Sequence, residues 1–199
     1  MYLKKLRNKY KACKGDESLT KHYLEVYENH FSKLRMLPLQ ILEIGVQSGG
    51  SLRMWRDYFP ISHITGVDIN KKCIKHAGKR IDVVIGDQSD PRFLSTLSKF
   101  DIIIDDGGHR MYQQQISLIK LWKHLNKGGI YVIEDLATSY WPKFCEEDET
   151  PTIEVLKDRI DSLNKEALLD RRATKKYHIK DYNLKTMCFY PGMCFLYKE

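Results

Sequence analysis

No apolar run in the sequence approaches the roughly 18 to 20 residues that a membrane-spanning helix needs. Met1-Tyr2-Leu3-Lys4-Lys5 is not followed by an apolar signal-peptide core, so a cytoplasmic protein without a membrane span is expected. The five cysteines, Cys13, Cys73, Cys145, Cys188 and Cys194, contain no C-x-x-C pair, and an odd number cannot close completely into internal disulfides. That argues against a thiolate zinc site and fits a reducing compartment. Internal repeats and low-complexity segments are absent as well. The chain's 199 residues suffice for one sizeable core and are short for two, so residues 1–199 are expected to form a single domain.

Charge is not scarce. A formal net charge of +7 raises the question of nucleic acid, because clustered Lys and Arg neutralise phosphates. Lys4, Lys5, Arg7, Lys9, Lys11 and Lys14 form one cluster, and Arg171, Arg172, Lys175 and Lys176 form another. Neither carries the interleaved aromatics of a base-stacking platform, although Tyr10 and Tyr177 lie nearby. Solvated surface charge is the preferred reading of both, and nucleic acid is not expected as a partner.

From Leu39 onward, short β-rich runs alternate with helix-like segments. The runs are Leu39 to Ile44, His63 to Val67, Ile81 to Ile85, Phe100 to Ile104 and Gly129 to Ile133. Their nearly continuous apolar character fits parallel strands covered on both faces. Between them lie Ser51 to Tyr58, Lys71 to Lys79, Asp90 to Ser98 and Tyr112 to Leu125, which are expected to be crossover helices. Near the C-terminus, Leu184 to Phe189 and Met193 to Tyr197 flank Tyr190-Pro191-Gly192 and predict an antiparallel hairpin. The expected fold is α/β, a Rossmann-like doubly wound sheet of seven strands, mostly parallel with a C-terminal antiparallel hairpin. Residues 1–38 are expected as a helical cover, since Tyr23, Val26, Tyr27 and Phe31 share a face. The remainder divides into a cofactor and metal half at 39–142, a helical acceptor-side insertion at 143–183 and the hairpin at 184–199.

In such a sheet, ligands bind beyond the carboxyl ends of the strands. The first strand runs into EIGVQSGGS, Glu43 to Ser51, where Gly45 and Gly49 let the backbone pass close under a ligand before Ser51 starts the next helix. Val46 and Gln47 break the G-x-G-x-x-G pattern, which favours a nucleoside site over a pyrophosphate cradle. The second strand ends at Asp68, whose carboxylate can accept ribose hydroxyls, and the third in Gly86-Asp87-Gln88, which can read an adenine edge.

The series LEIGVQSGGSLRMW, GVDI, GDQSDPRFL, FDIIIDDGGH and GGIYVIEDL resembles class I S-adenosylmethionine-dependent methyltransferases. More narrowly it is similar to the group of macrolide-sugar O-methyltransferases and cephalosporin hydroxylase-like proteins, from about Lys14 to Glu199. The resemblance implies that Glu43, Gly45, Gly49, Asp68, Asp87 and Gln88, with Val46, Ser51 and Asp105 beside them, surround S-adenosyl-L-methionine. It also implies that Lys14 to Tyr27, with Asp16, His22 and Tyr23, covers the site.

DDGGH, Asp105 to His109, sits at the mouth of one strand, and the next strand ends in Ile133-Glu134-Asp135-Leu136. Neighbouring parallel strand ends share a crevice, so Asp106, Glu134 and Asp135 are expected to converge. Three such carboxylates repel unless a cation lies among them. Oxygen ligands select a hard divalent ion, Mg2+ ahead of Mn2+ or calcium. His109, three residues beyond Asp106, is suited to proton transfer near neutral pH. The resemblance implies the same roles: Asp106, Glu134 and Asp135 as metal ligands and His109 as general base.

The function expected is metal-dependent O-methylation of a sugar hydroxyl on a glycan, polysaccharide or glycosylated metabolite. A catechol or small-phenol acceptor, an RNA methyltransferase and a non-catalytic cofactor-binding accessory protein are the alternatives. A 2-His-1-carboxylate iron site is not evident. Homo-oligomerisation stays open, because the macrolide-sugar enzymes carry a further N-terminal domain. Trp141 is expected either in the core or as an acceptor-stacking wall.

Overall fold

The computed structural model describes residues 2–12, 22–164 and 180–199. Its strands are β1 (Gln40–Ile44), β2 (His63–Asp68), β3 (Ile81–Ile85), β4 (Phe100–Asp105), β5 (Leu125–Ile133), β6 (Leu184–Tyr190) and β7 (Met193–Lys198). They form one sheet in the order β3-β2-β1-β4-β5-β7-β6. β1 to β5 run parallel, and β7 pairs antiparallel with both β5 and β6. The order reverses between β1 and β4, which places the ligand crevice of such a sheet beyond those two strand ends.

The helices are α1 (Tyr2–Tyr10), α2 (Tyr23–Phe31), α3 (Gly50–Tyr58), α4 (Pro91–Leu94), α5 (Met111–Leu121) and α6 (Thr152–Ile160). Side-chain alternation along the strands divides the core into two layers. Ile41, Ile102, Ile104, Ile130, Val132 and Phe195 face α1, α2 and α3. Leu42, Ile44, Ile103, Tyr131, Ile133 and Leu196 face α5 and α6. Strand parity therefore decides which layer each strand-end side chain enters, with consequences for the site.

Several expected crossover helices are shorter than their sequence windows. Residues 71–79 give only a 3-10 turn, Lys71–His76, capped by the Asn70 side chain accepting from Lys72 N at 3.0 Å. In 90–98 the helix is the single turn α4. Asp90 caps it, and the Ser95 and Thr96 hydroxyls donate to the Pro91 and Phe93 carbonyls and divert the backbone from continuing.

Residues 2–12 and 22–34 do more than cover the sheet. Leu3, Leu6, Tyr23, Tyr27 and Phe31 are buried with Trp55 and Phe195 in one continuous cluster. Lys4 and Lys5 point to solvent, as the surface-charge reading of the first cluster expected. Lys14, Asp16 and the second basic cluster lie outside the described residues. In the 143–183 region, α6 packs through Leu156 into the layer of α5. Among the described residues, no helix is long and apolar enough to cross a membrane.

Candidate functional site

The carboxyl ends of β1 to β5 open into a cleft of about 1350 Å³. Small-ligand pockets usually hold about 300 to 1,000 Å³, so this cleft has room for two ligands side by side. Gly45, with φ +93°, follows β1 at the reversal point of the strand order. The Asp106 carbonyl lies where a side chain at Gly45 would project. Asp106 N in turn donates to Ile44 O at 3.1 Å, so the loops after β1 and β4 are locked together.

On the β1 to β3 side, polar groups are largely committed to the protein. Asp68 accepts from Val46 N at 2.9 Å, Gln47 N at 3.0 Å and Asn70 N at 2.8 Å. Burial pushes its carboxyl up, but these backbone donors outweigh burial and hold it below the ordinary carboxylate range. The loop N–H groups are thereby tied to one carboxylate, which itself lines the cleft. Asp87 lines it too, with Oδ1 accepting from Ser89 N and from the Ser89 hydroxyl, both at 2.7 Å. Val46 and Ser51 complete the wall.

Glu43, Gly49 and Asp105 stand behind that wall. Parity sends Glu43 into the α3 layer, where it accepts from the Ser51 hydroxyl at 2.7 Å and Trp55 Nε1 at 3.0 Å. Gly49, with φ +67°, starts α3 against the His76 ring. Asp105 points to the opposite layer, almost fully buried, and accepts from Gln88 Nε2 at 3.2 Å and the Tyr131 hydroxyl at 3.3 Å. Burial raises its carboxyl to about 6, against the lowering pull of His109 and of those donors. The Gln88 amide also accepts from Gly108 N at 2.7 Å and faces Ser117 Oγ at 3.2 Å. It anchors DDGGH from below, so the expected reading of an adenine edge by that side chain has no uncommitted amide to use. A side chain at Gly107 would collide with Gln88, and one at Gly108 with Gln113, which accounts for the paired glycines.

The β4 and β5 side is different. Donor atoms of Asp106, His109 and Asp135 lie within 4.8 Å of one another. His109 Nε2 is 3.4 Å from Asp135 Oδ2, and His109 Nδ1 is buried without a hydrogen-bond partner. Both His109 (φ 59°) and Asp135 (φ 56°) adopt the left-handed backbone region. For non-glycine residues that conformation stores about 1 to 3 kcal/mol and clusters at functional positions. The Thr138 hydroxyl holds both bends, facing His109 O at 3.1 Å and Asp135 O at 2.7 Å. Glu134 also lines the cleft, but its Oε1 accepts from the buried Tyr27 hydroxyl at 2.5 Å. The structure thus brings Asp106 and Asp135 together with His109, with Glu134 beside them on α2's side.

The Asp106 and Asp135 carboxylates brought together beside His109, with Glu134 lining the same cleft, offer the oxygen donors that suit a hard divalent cation.

Sequence reasoning missed several cleft residues. Arg7 and Lys11, read as surface charge, line it, as does Phe144 beside Trp141. Trp141 is 44% exposed, which makes it a wall residue and not core. Tyr27 was assigned to the apolar stripe alone. Its signal was there, since a phenol in a buried stripe must find a hydrogen-bond acceptor.

No protein-family model matches the chain. It is 37% identical over 191 residues to the 8-demethyl-8-alpha-L-rhamnosyl tetracenomycin-C 2'-O-methyltransferase of Streptomyces olivaceus, covering 89% of this chain and 50% of that protein. It is 38% identical over 159 residues to the mycinamicin VI 2''-O-methyltransferase of Micromonospora griseorubida, covering 71% of this chain and 39% of that one. Among solved structures it resembles the MycE methyltransferase of the mycinamycin biosynthetic pathway in complex with Mg and SAH. There the TM-score is 0.84 at 32% identity, over 100% of this chain and 53% of MycE. The chain spans about half the length of these relatives or less. Strand order, terminal hairpin and sequence agree: the chain belongs to the class I S-adenosylmethionine-dependent methyltransferases and resembles their macrolide-sugar O-methyltransferase group.

Proposed function

We propose that the chain catalyses metal-dependent transfer of a methyl group from S-adenosyl-L-methionine to a hydroxyl of a sugar, with Mg2+ as the preferred ion and Mn2+ as a substitute. The observation that carries this reading is the cluster of Asp106, His109 and Asp135 at the cleft, with His109 and Asp135 on strained backbone. The names of the relatives, rhamnosyl and mycinamicin O-methyltransferases, and the Mg and SAH held by MycE support the acceptor class and the ion.

In this assignment Asp68, Asp87 and the Gly45 to Ser48 loop cradle the nucleoside. Asp106 and Asp135 offer oxygens to the cation, and Glu134 a third from the neighbouring position. A divalent ion bound there lowers the pKa of a coordinated hydroxyl and orients it. The cofactor supplies a methyl group on a sulfonium. His109, turned toward Asp135, takes the hydroxyl proton on its ring nitrogen as the carbon–oxygen bond forms and the carbon–sulfur bond breaks, leaving S-adenosylhomocysteine. Asp135, 3.4 Å from His109 Nε2, stabilises the resulting imidazolium. Trp141 and Phe144 give the acceptor side an apolar wall suited to the C–H face of a pyranose, while Arg7 and Lys11 border the cofactor side.

Methyl-labelled cofactor with a rhamnosyl acceptor tests the proposal. Label transfer that stops on chelation and returns with magnesium is expected. Transfer unaffected by chelator removes the metal from the mechanism, and transfer to catechols alone replaces the acceptor class.

A further inference from the structure

Glu134 and Asp135 are consecutive, yet their side chains diverge, because β5 ends at Ile133 and the chain turns left-handed at Asp135. Helix α2 addresses both. Tyr23 and Tyr27, four residues apart on one helix face, reach Asp135 and Glu134 respectively.

The two contacts differ in kind. Tyr27 is fully buried, and its ring packs edge-on against Trp55 and Phe195 with centroids at 4.9 and 5.5 Å. Glu134 Oε1, at 2.5 Å, is the only hydrogen-bond partner of its hydroxyl among the described residues. Glu134 is itself 2% exposed, so water cannot replace that donor. The Tyr23 oxygen receives Asp135 N at 3.3 Å, and its single proton lies between Gly192 O at 2.9 Å and Asp135 Oδ1 at 3.2 Å. Tyr23 therefore has an alternative acceptor in the β6–β7 turn, where His22 Nε2 also meets Pro191 O at 2.8 Å. Tyr27 has none.

We infer that Tyr23 and Tyr27 are positioning residues of the cation site, with Tyr27 orienting the Glu134 carboxylate and Tyr23 the Asp135 carboxylate and backbone. The inference rests on the assignment of Asp106, Glu134 and Asp135 as ligands. It makes α2 part of the site, so that its docking on β5 and on the terminal hairpin sets ligand geometry. Outer-shell donors that fix ligand orientation typically change metal affinity about 10- to 100-fold when removed. Because the Tyr27 hydroxyl has no alternative acceptor among the described residues and water cannot take its place at the buried Glu134, Tyr27→Phe has the larger effect.

The test measures Mn2+ affinity of the whole chain by calorimetry and the paramagnetic spectrum of the bound ion, with S-adenosylhomocysteine affinity measured alongside. Tyr27→Phe is expected to weaken Mn2+ binding roughly 10- to 100-fold and to alter the spectrum, Tyr23→Phe to weaken it less, and neither to change S-adenosylhomocysteine affinity more than about twofold. Unchanged Mn2+ affinity in Tyr27→Phe, with binding abolished in Asp106→Ala, overturns the positioning role and leaves the cation site standing. Unchanged binding in Asp106→Ala instead overturns the site assignment itself. Should Tyr27→Phe fail to fold, Tyr23→Phe decides: Mn2+ affinity equal to the parent protein's overturns the inference.

Discussion

The two sides of the cleft are built on opposite terms. Beyond β1 to β3, the polar side chains are satisfied by the protein itself: Asp68 by three backbone N–H groups, Glu43 by Ser51 and Trp55, Gln88 by Asp105, Gly108 and Ser117. Beyond β4 and β5, Asp106, His109 and Asp135 crowd together, the last two on left-handed backbone, and the buried His109 Nδ1 has no hydrogen-bond partner. A satisfied network holds a shape. Carboxylates crowded beside an imidazole on partly strained backbone are poised for a ligand from outside. On the proposed assignment the first side is a preformed surface for a nucleoside, and the second the place where methyl transfer occurs.

That contrast predicts separable losses. The largest is expected from Asp106→Ala, which abolishes divalent-ion binding and methyl transfer in calorimetry and label-transfer assays while S-adenosylhomocysteine still binds. Next is His109→Ala, expected to lower kcat by about 10² to 10⁴, the usual contribution of a general base, with cofactor affinity intact. Parent-like turnover in that variant would remove His109 from the mechanism. On the other side, Glu43→Ala removes the buried acceptor that the Trp55 and Ser51 donors use, and a loss of about 3 kcal/mol in denaturant unfolding is expected. If stability holds but cofactor affinity collapses, Glu43 reaches the ligand directly and the contrast is blurred. Asp68→Asn is the mildest. Having lost a charged acceptor for the loop amides, it should bind S-adenosylhomocysteine about tenfold more weakly with ion affinity unchanged.

Much of this was legible in the sequence. The five apolar runs from Leu39 to Ile133 and the Tyr190-Pro191-Gly192 turn marked the mixed sheet, since strands buried on both faces leave continuous apolar text. DDGGH and the Glu134-Asp135 pair marked the strand ends that meet. What the sequence hid was parity and distance. Whether Glu43 or Asp105 faces a ligand depends on which layer its strand position enters, and both enter the core. The short α4 was obscured because Ser95 and Thr96 cap and divert the backbone in a window that reads as helical. Tyr27 was hidden for another reason. Its partner is 107 residues away, and helical spacing explained it as core without requiring a second role.

On the proposed assignment the β4 and β5 side needs a cation and the β1 to β3 side does not. The measurement that tests it most directly is calorimetric titration of S-adenosylhomocysteine into chelated protein, followed by a rhamnose- or glucose-type acceptor with and without magnesium. Cofactor binding in the chelated protein, with acceptor binding only once magnesium is present, is the expected result. Equal acceptor binding in both conditions would contradict it and reduce DDGGH to an acidic turn.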